Sequence, residues 1–132
     1  MCEYVNKLKE LTNQLAPLSS YIQNPGNVVE YNLPGGKVIG WGLLNIPEIA
    51  VQKVFGVAGS SLPDHLHEVE KELIIVYKGH IRITTDDGVH DLKAGDCLTV
   101  PPGKVHSSYS ETNVELIAIT IPAEKGFPRD GR

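Results

Sequence analysis

Two histidines and a glutamate lie close together in GSSLPDHLHEVEKELIIVYKG, residues 59–79. Alternate residues of an extended chain point to the same side, so the spacing places the imidazoles of His65 and His67 together. Glu72 opens the apolar run LIIVY, and a carboxylate on the inner face of such a strand is costly unless a cation or hydrogen-bond donors meet it. A metal ion bound by His65, His67 and Glu72 would offset that cost. A plainer interpretation also fits, with both histidines as polar loop residues and Glu72 exposed at the start of a strand.

A second segment, GDCLTVPPGKVHSSYS at residues 95–110, carries one more histidine, His106, shortly after a proline-glycine turn. Together the two segments resemble the paired motifs of the cupin family. Residues 59–79 match the first motif, Gly-x5-His-x-His-x4-Glu-x6-Gly, at every position. The residues that match the second motif are Gly95, Pro101, Gly103 and His106. The one departure is Ser110, where the family usually has asparagine.

The resemblance implies a small jelly-roll barrel in which four side chains bind one divalent transition metal ion. The implied metal ligands are His65, His67, Glu72 and His106. Such ligands admit Fe, Mn, Ni, Zn or Cu. The motif glycines are expected in sharp turns where a Cβ would clash. His80 and His90 match neither motif and are predicted to be exposed, whereas Cys97 is predicted to be a small buried residue.

The elements that must position these side chains are short strands, except at the start of the chain. Four apolar residues at helical spacing, followed by Pro17, predict one amphipathic helix within residues 1–18. Beyond it, segments rich in branched side chains alternate with turn sequences, which predicts an all-β antiparallel fold. The predicted strands are Val28–Leu33, Val38–Trp41, Ile49–Val57, Glu72–Tyr77, Ile81–Thr85, Val89–Leu92, Cys97–Val100, Val105–Tyr109 and Val114–Ile121.

Length and composition suit one compact domain, since the chain has 132 residues, 41% of them hydrophobic. We predict a single domain over residues 1–132, with a motif-bearing barrel core in 50–122 and a loose polar tail in 123–132. The formal net charge of -4 gives no electrostatic argument for binding nucleic acid or a membrane surface. With two cysteines in the chain, a disulfide framework is not expected, and the cytoplasm is the predicted compartment.

Two predicted strands are apolar on both faces, LIIVY at 73–77 and LIAITI at 116–121. The interior of a barrel covers only one face of each strand, and one amphipathic helix can shield only part of the other. Large exposed apolar patches are rare on soluble monomers. A homodimer is therefore expected, with the outer faces of these strands in its interface.

The implied ligand set also limits the function. Three imidazoles and one carboxylate leave up to two positions of an octahedral ion open, and a metal that binds a substrate needs open positions. The predicted function is therefore a small metal-dependent enzyme, oxygenase-like, that acts on a small organic substrate. A second hypothesis stays open, in which the same barrel is a non-catalytic binding or sensing module for a small carboxylate or sugar.

Overall fold

The computed structural model describes residues 28–33 and 36–124, which form ten β-strands in two antiparallel sheets. The predicted helix within 1–18 lies outside these residues, as do residues 125–132 of the tail. The strands are β1 (Val28–Leu33), β2 (Gly36–Ile46), β3 (Ile49–Gly56), β4 (Ser61–His65), β5 (Lys71–Lys78), β6 (His80–Thr85), β7 (Gly88–Lys93), β8 (Cys97–Val100), β9 (His106–Tyr109) and β10 (Val114–Ile121). Over the described ranges, no helical segment has the length and hydrophobicity of a membrane span.

The two sheets face each other across an apolar core. One has the strand order β1-β2-β3-β10-β5-β8, and the other has the order β4-β9-β6-β7. The core residues are Val54, Ile74, Val76, Ile81, Ile83, Leu92, Val100, Val114, Leu116 and Ala118. This arrangement confirms the all-β jelly-roll fold predicted from the sequence.

Two central strands of the larger sheet, β3 and β10, bury one face and half-bury the other. Buried and partly buried residues alternate along β3 and β10, as the period of two requires. The partly buried outer residues include Phe55, Leu73, Ile75, Ile117 and Ile119. The two strands predicted to be apolar on both faces, β5 and β10, therefore lie side by side with their second apolar face turned away from the core.

One strand was missed by the sequence analysis. Ser61–His65 forms β4 at the edge of the smaller sheet. Polar residues and Pro63 hide the strand pattern, but proline lacks only a donor and is tolerated at a sheet edge. The pairing of β4 with β9 shifts register between Leu62 and His65. Such irregularities re-aim side chains, and this one comes just before the first histidine of the motif.

The motif glycines all adopt left-handed backbone conformations. Their φ angles are 89° at Gly59, 84° at Gly79, 98° at Gly95 and 78° at Gly103. A Cβ at Gly79 would collide with the carbonyl oxygen of Asn113, whereas a Cβ at Gly95 or Gly103 would meet nothing within 4 Å. The predicted sharp turns are therefore confirmed, but crowding explains only the first of these three glycines. Backbone conformation alone favours glycine at the other two.

Three predictions for residues outside the motif ligands need adjustment. Cys97 is exposed, so the prediction that it is buried is wrong. It lies on the edge strand β8 opposite Ile75, an outward-facing position, and the alternation of the strand turns its thiol away from the core. His80 is half-buried, with its side chain 37% exposed, so its predicted exposure is only partial. His90 is half-buried, so its exposure is only partial.

Candidate metal centre

A cavity of about 490 Å³ opens between the two sheets. Its walls are mostly apolar side chains from β3, β5, β6 and β10, including Val54, Ile74 and Leu116. All four side chains predicted as metal ligands line it, together with Gln52, Glu124 and four serines. A largely apolar cavity of this size with a few convergent polar groups is typical of a site for a small molecule.

His65 and His106 face each other across the β4–β9 pair. His65 ends β4, His106 begins β9, and the two are direct partners in the register. Their ring centroids are 4.2 Å apart. Nδ1 of His65 donates to the Pro63 carbonyl oxygen at 2.8 Å, and Nδ1 of His106 donates to the Lys104 carbonyl oxygen at 3.0 Å. A carbonyl oxygen only accepts, so the neutral form of each imidazole keeps the lone pair of Nε2 for another ligand.

His67 lies in the loop after β4. Its ring centroid is 5.5 Å from that of His65 and 5.4 Å from that of His106. Its Nδ1 is 3.0 Å from Oε1 of Glu124. One ring nitrogen from each of the three histidines lies within 4.8 Å of the others. The prediction that the His-x-His spacing directs both imidazoles to one side is borne out by this cluster.

Glu72 enters the same cluster from β5. Glu72 is 8% exposed. Its Oε1 lies 3.1 Å from Nε2 of His106 and 3.4 Å from Nε2 of His67. The plainer interpretation, in which Glu72 is an exposed residue at the start of a strand, is therefore wrong. The structure brings all four predicted side chains together in one place.

Burial and nearby carboxylates together set the pKa values of the clustered groups. The hydrogen bond to Glu124 and the nearby Glu72 raise the pKa of His67 to about 10. Burial opposes ionisation of Glu72, but the hydrogen bond to His106 and the close contact with His67 outweigh burial and lower the pKa of this carboxyl to about 2. Burial lowers the pKa of His65. For His106, burial is outweighed by hydrogen bonds to Glu72 and to the Lys104 carbonyl, and the pKa is raised.

The donor atoms fit a transition metal ion. Nε2 of His67 is buried without a hydrogen-bond partner, and its contact with Glu72 at 3.4 Å is electrostatic rather than a well-aligned hydrogen bond. A buried polar atom without a hydrogen-bond partner lowers the stability of the fold, so a further partner for this nitrogen is expected. Three imidazole nitrogens and a carboxylate are ligands of intermediate softness that suit the divalent ions from Mn to Zn. The residues present therefore fit the predicted metal.

The loop before His106 is tied to a distant hairpin. The Lys104 ammonium donates to Asp86 at 2.8 Å and to Asp87 at 3.0 Å, in the turn between β6 and β7. The amide of Gly103 donates to the His67 carbonyl oxygen at 2.7 Å. These contacts fix the carbonyl of Lys104 that orients His106, and they join the loops of the two motifs.

Two cavity residues, Gln52 and Glu124, were not singled out from the sequence. Gln52 is 4% exposed on β3, and its only signal is a polar side chain between the small or apolar inward residues Ala50 and Val54. Glu124 follows β10 within the predicted loose tail, where nothing in the local sequence marks it. It reaches His67 because its own amide donates to Thr120 Oγ1 at 3.2 Å.

This architecture is shared with known proteins. A family model for the cupin domain matches residues 54–122. No curated protein matches the chain. Among solved structures, an RmlC-like cupin from Shewanella frigidimarina is 24% identical, and the match covers 83% of this chain and 96% of that one with a TM-score of 0.69. A predicted oxalate decarboxylase from Thermotoga maritima is 23% identical over 76% of this chain and 98% of its own, with a TM-score of 0.64.

A third solved structure, KdgF from Halomonas sp., is 18% identical over 73% of this chain and 89% of its own, with a TM-score of 0.64. At these identities the structural likeness shows the fold alone. The family match is more informative, because it covers just over half of the chain and includes the strands and loops that carry His65, His67, Glu72 and His106. The chain belongs to the cupin family.

Proposed function

We propose that this cupin binds one divalent transition metal ion and acts with it on a small organic substrate, in oxygenase-type chemistry. The proposed ligands are His65, His67, Glu72 and His106. The observation that carries the proposal is the convergence of three imidazole nitrogens within 4.8 Å, with the Glu72 carboxylate in contact, inside a mostly apolar cavity. Fe, Mn, Ni, Zn and Cu are the candidate ions, and the cytoplasm, where the thiol of Cys97 stays reduced, is the proposed compartment.

The remaining polar groups of the cavity favour chemistry at the ion. When bound, such an ion polarises a substrate oxygen, and a redox-active one also supports reaction with oxygen. Among the described lining residues, every side chain that titrates near neutral or acidic pH belongs to the histidine cluster or contacts it. The other polar side chains of the lining are four serines and Gln52. None of these is a general acid or base by itself.

The protein's own contribution is to orient the ligands and to exclude water. The carbonyls of Pro63 and Lys104 and the carboxylate of Glu124 hold the three imidazoles through their Nδ1 atoms. Such outer contacts fix the tautomer and the ring orientation of a ligating histidine. The apolar walls would hold the carbon skeleton of a substrate and keep its surroundings dry.

The proposed site predicts that removal of a single ligand weakens metal binding. The wild-type protein is expected to bind about one equivalent of Zn²⁺ or Ni²⁺. His106→Ala removes a proposed ligand, so it should weaken binding by more than about 100-fold, beyond the loss typical of outer contacts. His90→Ala, outside the cavity lining, is the control and should bind like wild type. Isothermal titration calorimetry gives both affinity and stoichiometry, and equal affinities of wild type and His106→Ala would contradict the assignment.

The metal site should also respond to pH. Because the pKa of His67 is raised from 6.5 to about 10, its ion pairs stabilise the metal-free fold below about pH 6.5, and this stabilisation is lost as the pH rises through about 10. The lowered pKa of Glu72, about 2 against 4.5, gives a stabilisation that is present above pH 4.5 and lost as the pH falls through about 2. A metal ion must displace the His67 proton. Binding at pH 8 is therefore expected to release at least about one proton.

Calorimetry in two buffers of different ionisation enthalpy measures that release. Glu124→Gln removes the largest contribution to the raised pKa of His67, so proton release at pH 8 should fall. Acid should strip the ion at roughly pH 4–6, since ligating imidazoles must be neutral. Identical proton release by the variant would show that Glu124 does not hold the proton on His67, whereas full metal retention at pH 3 would contradict histidine ligation.

Turnover separates the enzyme from the binding or sensing module. Protein loaded with Fe²⁺ or Mn²⁺ is expected to consume oxygen with at least one member of a panel of small 2-oxo acids, 2-hydroxy acids and enediols. His106→Ala, with its weakened metal site, should not. Oxygen uptake is followed with an electrode, and binding of the same compounds is followed by calorimetry. Saturable binding of these compounds without oxygen uptake by any metal-loaded form would favour the non-catalytic module.

We also propose that the protein is a homodimer. The outer apolar faces of β5 and β10 support it, and a standard interface of about 800 Å² per partner would cover them. Ile117→Lys, in the middle of this face, is expected to shift the protein to monomer, whereas Val89→Lys, 58% exposed on the other sheet, should not. Light scattering at micromolar concentration reports the mass. A wild-type mass of 14.4 kDa would rule the dimer out.

A further inference from the structure

Gln52 places a buried, unpartnered side-chain oxygen on the wall of the metal cavity. The residue is 4% exposed, and its Oε1 is buried with no hydrogen-bond partner. The side chain lines the cavity, and its inward neighbours along β3, Ala50 and Val54, are apolar. A buried carbonyl oxygen without a hydrogen-bond partner costs free energy, so a polar side chain at this position needs an explanation.

The neighbouring strand makes room for this amide. Gly40 is buried on β2, and a Cβ built on it would lie 2.7 Å from Oε1 and 3.4 Å from Cδ of Gln52. Any larger residue at position 40 would have to displace the carboxamide. Gln52 therefore lies on β3, and β2 leaves space for its side chain because position 40 is a glycine.

The register relates Gln52 to the metal cluster. Gln52 pairs with Ala118 on β10, and Glu72 pairs with Thr120 on the other side of the same strand. Gln52 therefore lies two residues along the strand and two strands across from Glu72, and both side chains reach the same cavity. Strand geometry puts their Cα atoms about 12 Å apart. That separation leaves space for a small molecule between the two side chains.

The charges of the cavity limit what such a molecule can carry. The described lining residues include no lysine or arginine. The acidic and basic groups are confined to the histidines, Glu72 and Glu124. A second negative group at the far end of a ligand would therefore find no cation, whereas a neutral carbonyl, amide or hydroxyl could exchange hydrogen bonds with the carboxamide of Gln52.

We infer that Gln52 determines substrate specificity by binding an uncharged polar group at the far end of the substrate. The substrate class is then a small molecule with a metal-binding end, an apolar body against Val54, Ile74 and Leu116, and a neutral hydrogen-bonding end. This inference rests on the proposed metal-dependent function, because the metal holds the first end.

Two metal-chelating probes of the same shape test this role. One is 5-carbamoylpentanohydroxamate, which ends in an amide, and the other is 6-methylheptanohydroxamate, in which an isopropyl group replaces the amide. Shorter pairs with two to three methylenes fewer cover other spans. With zinc-loaded wild type, at least one amide probe is expected to bind about tenfold more tightly than its isostere, the value of one satisfied hydrogen bond.

Gln52→Met, which keeps the length of the side chain, should abolish this preference and leave zinc affinity unchanged. Thr84→Val, on the exposed face of β6, is the matched control and should retain the preference. Thermal unfolding of the metal-free proteins adds an independent measurement. Gln52→Met should melt at a higher temperature than wild type, because it removes an unpaired buried oxygen.

Three results would overturn the inference. Zinc-loaded wild type could bind every amide probe and its isostere equally, which would leave the metal site intact and reject only the role of Gln52. Gln52→Met could melt at a lower temperature than wild type, which would make Gln52 a structural residue. A wild type that binds no zinc would instead reject the proposed metal function, and this inference with it.

Discussion

Glu72 carries a negative charge into the interior of a barrel, on a strand whose next inward residues, Ile74 and Val76, are apolar. In the described structure the groups that contact this carboxylate are the imidazoles of His106, at hydrogen-bond distance, and His67, in an ion pair. Removing one partner of such a buried pair typically costs about 3–5 kcal/mol, because the other is left unpaired. Both sheets and the loop after β4 must therefore come together correctly for the charge to be tolerated, and the geometry of the candidate metal centre follows from that demand.

Backbone contacts meet this demand more than side chains do. The amide of Gly59 donates to the Ser110 carbonyl oxygen at 2.7 Å, and the amide of Ser110 donates to the Ser60 carbonyl oxygen at 3.0 Å. These bonds join the start of the first motif to the end of the second. Ser110 stands where the family usually has asparagine, yet neither bond depends on its side chain. The departure from the motif therefore leaves the closure of the barrel unchanged, and with it the approach of β4 to β9 that pairs His65 with His106.

Patterns of period two made most of the strands predictable, and the fixed spacing of His65, His67, Glu72 and His106 made the cluster predictable. What failed depends on contacts between distant parts of the chain. The strand β4 was missed because its stability comes from pairing at a sheet edge rather than from its own residues, which include Pro63. Cys97 was misplaced because its face is set by the register of β8 on β5. Glu124 gave no signal, since its role arises only where the chain after β10 meets the loop of His67.

The three histidines of the cluster are not equivalent, and the difference follows from what orients them. Carbonyl oxygens hold His65 and His106, whereas a carboxylate holds His67, and a carboxylate partner makes an imidazole more basic. His65, with its pKa lowered by burial, is neutral near pH 7, while His67 is protonated there without metal. An entering ion therefore meets one imidazole with a free lone pair and one that must first release a proton. The segment after β10, by supplying Glu124, thus governs the competition between proton and metal from outside the motifs.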